Sequence, residues 1–298
     1  MNRPAIAIII KSKQGEGKGT FLKAIRNIIG KEHYISSAKP QDFFGTHSEL
    51  FVNKLLVNPD ECEGKDTFDF QGKMKAFISE DKISVNPKSI RPYEVNNFSR
   101  TIITTNKPNP ISIDFGSVDR RYVVFEASGE YLKRKYNSKF WTQLHKHFDK
   151  PEFISALYDY FMELDYSNVN WIRDRPLTTI YYDMARNSLP QEVLFLEYFE
   201  ERAREMDLDN LVDFNYLFIK YKEFCDYANI KNSYSKKQFS MKITDLKCGI
   251  EKKRESTGVK LYIDIDYLRK FLLRILDNEE QYVEEEEHEE VEEDYFDI

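Results

Sequence analysis

A glycine-rich stretch, Gln14-Gly15-Glu16-Gly17-Lys18-Gly19-Thr20, sits between an apolar run (Ala5–Ile10) and a helical pattern, and few folds accommodate that order. A loop that wraps phosphates must bring backbone N–H groups close to the oxygens, and glycines allow this without steric cost. The helix that follows turns its positive end toward the anion. Lys18 is placed to reach the β- and γ-phosphates of a nucleotide, while a hydroxyl at the loop's end would help hold Mg²⁺. Two positions depart from the usual pattern. Ser12 stands where a first glycine is common, and Gly19 stands where Ser or Thr normally follows the lysine. Thr20, one place later, becomes the candidate hydroxyl ligand.

Three further β-branched runs follow: Leu55–Val57, Thr101–Thr105 and Tyr122–Phe125. They read as buried parallel strands, with a helix from Thr20 to Ile29 after the first strand, which gives an α/β unit. The second run ends in Asp60-Glu61, two carboxylates at the sheet edge where the glycine loop also lies. Asp60 is the candidate for the magnesium shell, and Glu61 for orienting and deprotonating a water. The third run ends at Asn106, an amide able to bridge a γ-phosphate and a water. The fourth begins with Arg120-Arg121, of which Arg120 is the first candidate to neutralise a transferring phosphoryl group from a neighbouring subunit. Each of these three segments alone would also pass for an ordinary solvated loop or strand end.

The formal net charge of −7 hides two opposed regions. Residues 277–298 hold 13 acids and no Lys or Arg, while the first 276 residues carry 44 bases against 38 acids, a net of +6. A mildly basic body with an acidic, disordered tail fits a nucleic-acid partner. The longest early apolar run is six residues, too short to span a bilayer, so neither a membrane protein nor a secreted one is expected. Cys62, Cys225 and Cys248 are too dispersed for a disulfide framework, which favours an intracellular site such as a host cytoplasm or viral replication site.

The domain reading is a nucleotide-binding unit over residues 1–130, a helical linker over 131–205, a third unit over 206–276 and the tail over 277–298. In the third unit the order helix, helix, hairpin, helix is winged-helix-like. Between Lys231 and Arg254 it carries eight bases against two acids. Lys236, Lys237, Lys252, Lys253 and Arg254 are the candidate DNA contacts there, with affinity expected to fall as salt rises.

The phosphate loop, Asp60-Glu61-Cys62-Glu63-Gly64, Ile102-Ile103-Thr104-Thr105-Asn106 and Asp119-Arg120-Arg121-Tyr122 occur in an order that resembles the superfamily 3 helicases. The likeness is to the helicase half of the poxvirus-type primase–helicases of large DNA viruses and phages. The resemblance implies a P-loop, AAA+-like ATPase core, hydrolysing ATP with Mg²⁺ at subunit interfaces of a homo-oligomeric ring, usually a hexamer. It implies movement along single-stranded or forked DNA. The family's primase and collar precede the motor, whereas here the phosphate loop starts almost at Met1. Priming is therefore not expected of this chain, and a separate primase or other replication proteins are the expected partners. The resemblance also implies a basic hairpin between the acids and Asn106, here Lys82 to Tyr93. Ile83 and Val85 alternate with polar residues, Asn86-Pro87-Lys88-Ser89 is the turn, and Lys82, Lys88 and Arg91 are the candidate phosphate contacts. Two other classes remain open: a DNA-binding accessory without hydrolysis, and a nucleoside-monophosphate kinase.

Overall fold

The structure, a computed structural model, describes residues 3–61, 70–108, 110–113, 119–129, 138–205, 211–255 and 258–276. These form two compact units, the first ending at Ser188 and the second beginning at Leu189.

The first unit opens with β1 (Ala7–Lys11), α1 (Lys18–Ile29), β2 (Tyr34–Ser37), α2 (Pro40–Phe44), β3 (Leu56–Pro59) and α3 (Gln71–Ser79). It continues with β4 (Lys82–Val85), β5 (Tyr93–Asn96), β6 (Arg100–Thr105), β7 (Tyr122–Glu126), α4 (Ser138–Phe148), α5 (Pro151–Glu163) and α6 (Thr179–Arg186). Five strands make one parallel sheet in the order β2-β3-β6-β1-β7. Strand β1 lies between β6 and β7, and Ala7 and Ile9 within it are wholly buried. Leu22, Ile25 and Ile29 of α1 cover one face by packing on Ile8, Ile10, Leu56 and Ile102. Burial on both faces is why these strands are continuous apolar runs, each enclosed Ile or Leu contributing about 1.5–3 kcal/mol.

All four runs expected as strands lie in this sheet, as β1, β3, β6 and β7. Strand β2 was not anticipated, because the edge strand Tyr-Ile-Ser-Ser has no wholly buried position and no apolar run. The expected helix begins two residues early, at Lys18. The expected hairpin is present as antiparallel β4 and β5, with Ile83 and Val85 buried.

The division at Ser188 falls inside the stretch expected as a linker, so α4, α5 and α6 belong to the first unit. The second unit holds α7 (Gln191–Glu205), β8 (Leu211–Asp213), α8 (Phe214–Tyr227), α9 (Lys236–Asp245), β9 (Ile250–Glu255), β10 (Gly258–Ile263) and α10 (Ile265–Leu276). Its strands pair antiparallel in the order β8-β10-β9. Asp213 caps α8, and Ser235 with Gln238 forms a reciprocal capping box on α9, each cap worth about 1 kcal/mol. The core is aromatic: Phe195, Tyr221 and Phe239 are wholly enclosed, and the last two rings stack at 4.3 Å.

The tail, Cys62-Glu63-Gly64, Asn109 and residues 256–257 lie outside the described residues. Among the described residues, no helix is long and apolar enough to cross a membrane.

Candidate phosphate-binding crevice

The carboxyl edge of the parallel sheet is where the loop after β1 meets the loop after β3. Ser12 continues the β1–β6 ladder, its N–H donating to the Thr105 carbonyl at 3.0 Å, and it is buried. It is therefore strand backbone rather than part of the loop's curve. The loop turns at Gly15 and Gly17, both with positive φ (87° and 97°). Glu16 closes it by accepting the Lys13 N–H at 2.7 Å. Gly19, by contrast, has ordinary φ, and a Cβ there would meet nothing within 4 Å, so packing does not forbid Ser or Thr at that position. Thr20 lies half-buried in the first turn of α1.

Lys18 folds back over the loop. Its Nζ donates to the Ser12 carbonyl at 3.3 Å and stands 3.8 Å from Glu61 Oε1. Residues 18 and 61, far apart in the chain, thus share one crevice. The Glu61 side chain is 42% exposed, against 14% for Lys18, so the pair adds at most about 1 kcal/mol to stability. Glu61 reaches this position through a left-handed backbone (φ 52°), which disfavours a residue with a Cβ by about 1–2 kcal/mol.

Asp60 is held from behind. Its Oδ1 accepts from the Thr104 hydroxyl at 2.5 Å and from the Glu61 N–H at 3.1 Å. The Thr104 hydroxyl in turn accepts from Asn58 Nδ2 at 2.9 Å, and the same amide donates to the Ile102 carbonyl at 2.7 Å. Asn58 Oδ1 accepts from Ser36 at 2.8 Å and from Tyr34 at 3.2 Å. Burial is the main reason the Tyr34 hydroxyl's pKa rises, with the Asp60 charge adding to it, so it stays a proton donor. One buried amide, 1% exposed, therefore ties three strands to the carboxylate. Asn58, Ser36 and Tyr34 were missed from sequence, and Thr104 entered only as part of the strand motif that ends at Asn106. Of the three missed, only Asn58 left a signal there, as a polar residue within a buried strand.

Asn106 lies exposed just beyond β6, on the same edge as Lys18 and Asp60. The arginine pair does not. It precedes β7, whose Tyr122 is in register with Ala7, and the Arg121 carbonyl accepts from the Ala7 N–H. That is the amino edge of the sheet, about 13 Å along β1 from Lys11 at a rise of about 3.3 Å per residue. Arg121 is spent inside the fold, on Asp119 Oδ1 at 3.1 Å and Ser79 at 3.0 Å. Arg120 is exposed. A single chain does not bring either arginine to Lys18.

The hairpin also springs from the amino edge. Asn97 closes its base on Asp81, and its amide donates to the Phe77 and Glu80 carbonyls, three residues before β6 begins. Lys82, Lys88 and Arg91 are exposed on it, together with Ile90, Tyr93 and Phe98. In the second unit Lys236 donates to Asn215, and Lys237 and Lys252 are exposed. Lys253 lies over the Tyr262 ring at 4.6 Å and opposite Lys260 in the β9–β10 register. Lys260 was missed from sequence. The Arg254 side chain lies outside the described ones.

Residues 10–121, from the end of β1 to Arg121, match the model of a family of unknown function, DUF5906. The chain is also similar to the DNA primase-polymerase of Nitratiruptor phage NrS-1, at 27% identity over 143 residues, 47% of this chain. That stretch spans 19% of the phage protein. Apo structures of the NrS-1 C-terminal region superpose with TM-scores of 0.62 and 0.59 at 18% and 17% identity, each covering 88% of this chain and 67% of that region. At that identity the structures establish a shared fold, a mixed α/β architecture with a helix-flanked parallel sheet.

These findings correct the expected function. The curated relative is a DNA primase-polymerase, which overturns the ATP-driven helicase and with it the helicase, ATP-binding and hydrolase labels. The physical reason for the difference is that glycine loops and strand-end carboxylates of this kind suit a sheet edge to phosphate in many unrelated reactions. They do not say which bond is then broken.

Proposed function

We propose that the chain is part of a DNA-synthesising enzyme of the primase–polymerase kind, a transferase acting inside the cell. In this reading the crevice holds the triphosphate of a nucleotide with Mg²⁺, and the second unit, a winged-helix-like module, holds DNA. One observation carries it: Lys18 and the Asp60-Glu61 pair meet at one sheet edge in a chain similar to a DNA primase-polymerase.

The donor set fits a magnesium ion. Among the described residues, Asp60 Oδ1 takes two hydrogen bonds, which makes Oδ2 the candidate hard oxygen ligand, with the Thr20 hydroxyl as the second candidate. Among the described residues no group of three or more His, Cys, Asp or Glu is arranged to hold a metal alone. An ion here would complete its shell with phosphate and water, as magnesium commonly does. Lys18 and the N–H groups of residues 15–20 neutralise phosphate oxygens, Glu61 holds Lys18 in place until phosphate replaces it, and Asn106 lies on the same edge. Lys82, Lys88, Arg91 and Arg120 on the amino edge, and Lys236, Lys237, Lys252, Lys253 and Arg254 in the second unit, are assigned to DNA phosphates. Copies set head to tail in a ring would be needed to bring Arg120 to a crevice, and mass measurement in solution checks that arrangement.

The test supplies labelled deoxynucleoside triphosphates, Mg²⁺ and a primed single-stranded template. Retention of the label that is lost in Lys18→Ala and Asp60→Ala, with template-dependent release of pyrophosphate, is the expected result. Release of orthophosphate instead, or retention indifferent to Lys18, overturns the reading.

A further inference from the structure

Residue 17 is glycine for two independent reasons. Its φ of 97° is left-handed, and a Cβ there would stand 3.1 Å from Cη2 and 3.6 Å from Cζ3 of the Trp141 indole. The six-membered edge of that ring is therefore packed directly against the phosphate loop, brought there by α4, which runs alongside α1. Farther along, the Asn27 amide of α1 donates to the Phe148 carbonyl at 2.9 Å, and Lys23 pairs with Asp149 at 2.8 Å. These contacts pin the far end of α4, so the position of Trp141 follows from helix packing. Phe140 meets the indole edge-on, with centroids 5.3 Å apart and planes at 75°, and is 40% exposed.

A nucleotide whose phosphates sit in the loop must lay its sugar and base on one flank or the other. The flank toward β3 carries the carboxylates Asp60 and Glu61. The other wall of the loop carries an indole whose edge atoms lie 3.1 and 3.6 Å from where a Cβ of residue 17 would stand. Resting on the phosphate-loop reading above, we propose that Trp141, with Phe140 braced against it, is the platform on which the base of the bound nucleotide stacks. Every base has a π-face, so stacking selects for nucleotide over bare polyphosphate without choosing among the four bases. That is the selectivity a template-directed enzyme needs from a site that must accept each nucleotide in turn.

Trp141 and Trp171 are the two tryptophans of the chain, so Trp171→Phe leaves Trp141 as the sole indole reporter. Four deoxynucleoside triphosphates and inorganic tripolyphosphate, each with Mg²⁺, are titrated by fluorescence and by calorimetry. The expected result is quenching of Trp141 by all four nucleotides with affinities within about 10-fold of each other, and little quenching by tripolyphosphate. Trp141→Leu should weaken nucleotide binding about 10-fold while leaving tripolyphosphate unchanged, and Trp141→Phe should restore most of the loss. An unchanged ratio of nucleotide to tripolyphosphate affinity in Trp141→Leu overturns the platform alone. So does a preference for one base of more than about 100-fold, beyond what stacking supplies. If tripolyphosphate itself fails to bind the parent chain, the phosphate-loop reading falls, and the platform with it. Should Trp141→Leu not fold, quenching in the Trp171→Phe protein decides the same question.

Discussion

The backing of the first unit's crevice and the core of the second unit bury opposite kinds of side chain. Behind the crevice of the first lie Asn58, Thr104 and Thr105, none more than 1% exposed, with Ser12 at 4%. The second encloses a run of rings, Phe195 edge-on to Tyr221 and Phe239, and Phe214 stacked on Phe239 at 6.3 Å. Aromatic packing has no preferred charge state and tolerates small shifts. A buried hydrogen-bond relay costs desolvation and fixes one geometry. The contrast teaches that rings hold the second unit together, whereas the polar residues behind the first unit's crevice aim a carboxylate.

The sharpest way to break this contrast is to remove the hub of the aromatic core. Phe239→Ala should destabilise the second unit by about 3–5 kcal/mol, since Phe195, Tyr221, Phe214 and Phe218 all lose a partner ring. Chemical denaturation monitored by near-ultraviolet circular dichroism measures it. A loss below about 1 kcal/mol would mean the core collapses around the gap, and the rings would then be filler rather than framework.

Asn58→Leu is the matching change in the first unit. It removes the donor to the Ile102 carbonyl and the Thr104 hydroxyl and the acceptor of the Ser36 and Tyr34 hydroxyls, for about 2–4 kcal/mol. Thr104→Val is milder and more telling. It deletes only the hydroxyl that holds Asp60 Oδ1, so triphosphate binding should weaken about 10-fold in Mg²⁺, equivalent to about 1.4 kcal/mol. Without the metal, binding should be unaltered, and Thr104→Ser should restore it. Equal losses with and without Mg²⁺ would reduce the relay to ordinary structural support.

A third comparison uses pH. Burial pushes the Cys248 thiol up to about 11 from an ordinary value of 9.0, and raises Cys225 and Tyr221 as well. A raised pKa on a group that is neutral when protonated favours the folded state at low pH. Its contribution is complete below about pH 9 and disappears as pH climbs through 11, about 2–3 kcal/mol for Cys248 alone. The second unit's unfolding free energy should therefore be level to pH 9 and then decline, and Cys248→Ala should flatten the decline. Both described cysteines are buried, so neither should take up a thiol reagent before unfolding.

Much of the scaffold was legible in the sequence because its signals are local. Four apolar runs announced four buried strands, and the glycines announced a turn before a helix. The edge strand β2 was hidden because a half-solvated strand needs no apolar run. Lys18, Asp60 and Glu61 could be named in advance because each closes or opens an element, and element ends cluster at a sheet edge. The Asn58–Thr104–Asp60 relay could not, since it depends on which strands are neighbours, and β3 and β6 are separated by the hairpin in sequence. The reaction was the least legible of all. The glycine loop suggests a phosphate-holding turn, whereas hydrolysis or transfer depends on which acceptor would reach the phosphorus.

The smallest expected effect separates strain kept for function from strain of no consequence. Glu61 and Asn229 both have positive φ, 52° and 55°. Asn tolerates that region through its short polar side chain and Glu does not. Glu61→Gly should therefore raise stability by about 0.5–1 kcal/mol, net of the added chain entropy of glycine, while Asn229→Gly should change it by less. Thermal unfolding of the two variants gives the comparison. Only Glu61→Gly should also weaken triphosphate binding, because it removes the carboxylate that positions Lys18 Nζ. A chain that becomes more stable when it loses ligand would place the strain in the crevice, whereas a destabilised Glu61→Gly would mean the Lys18 pair outweighs the backbone cost.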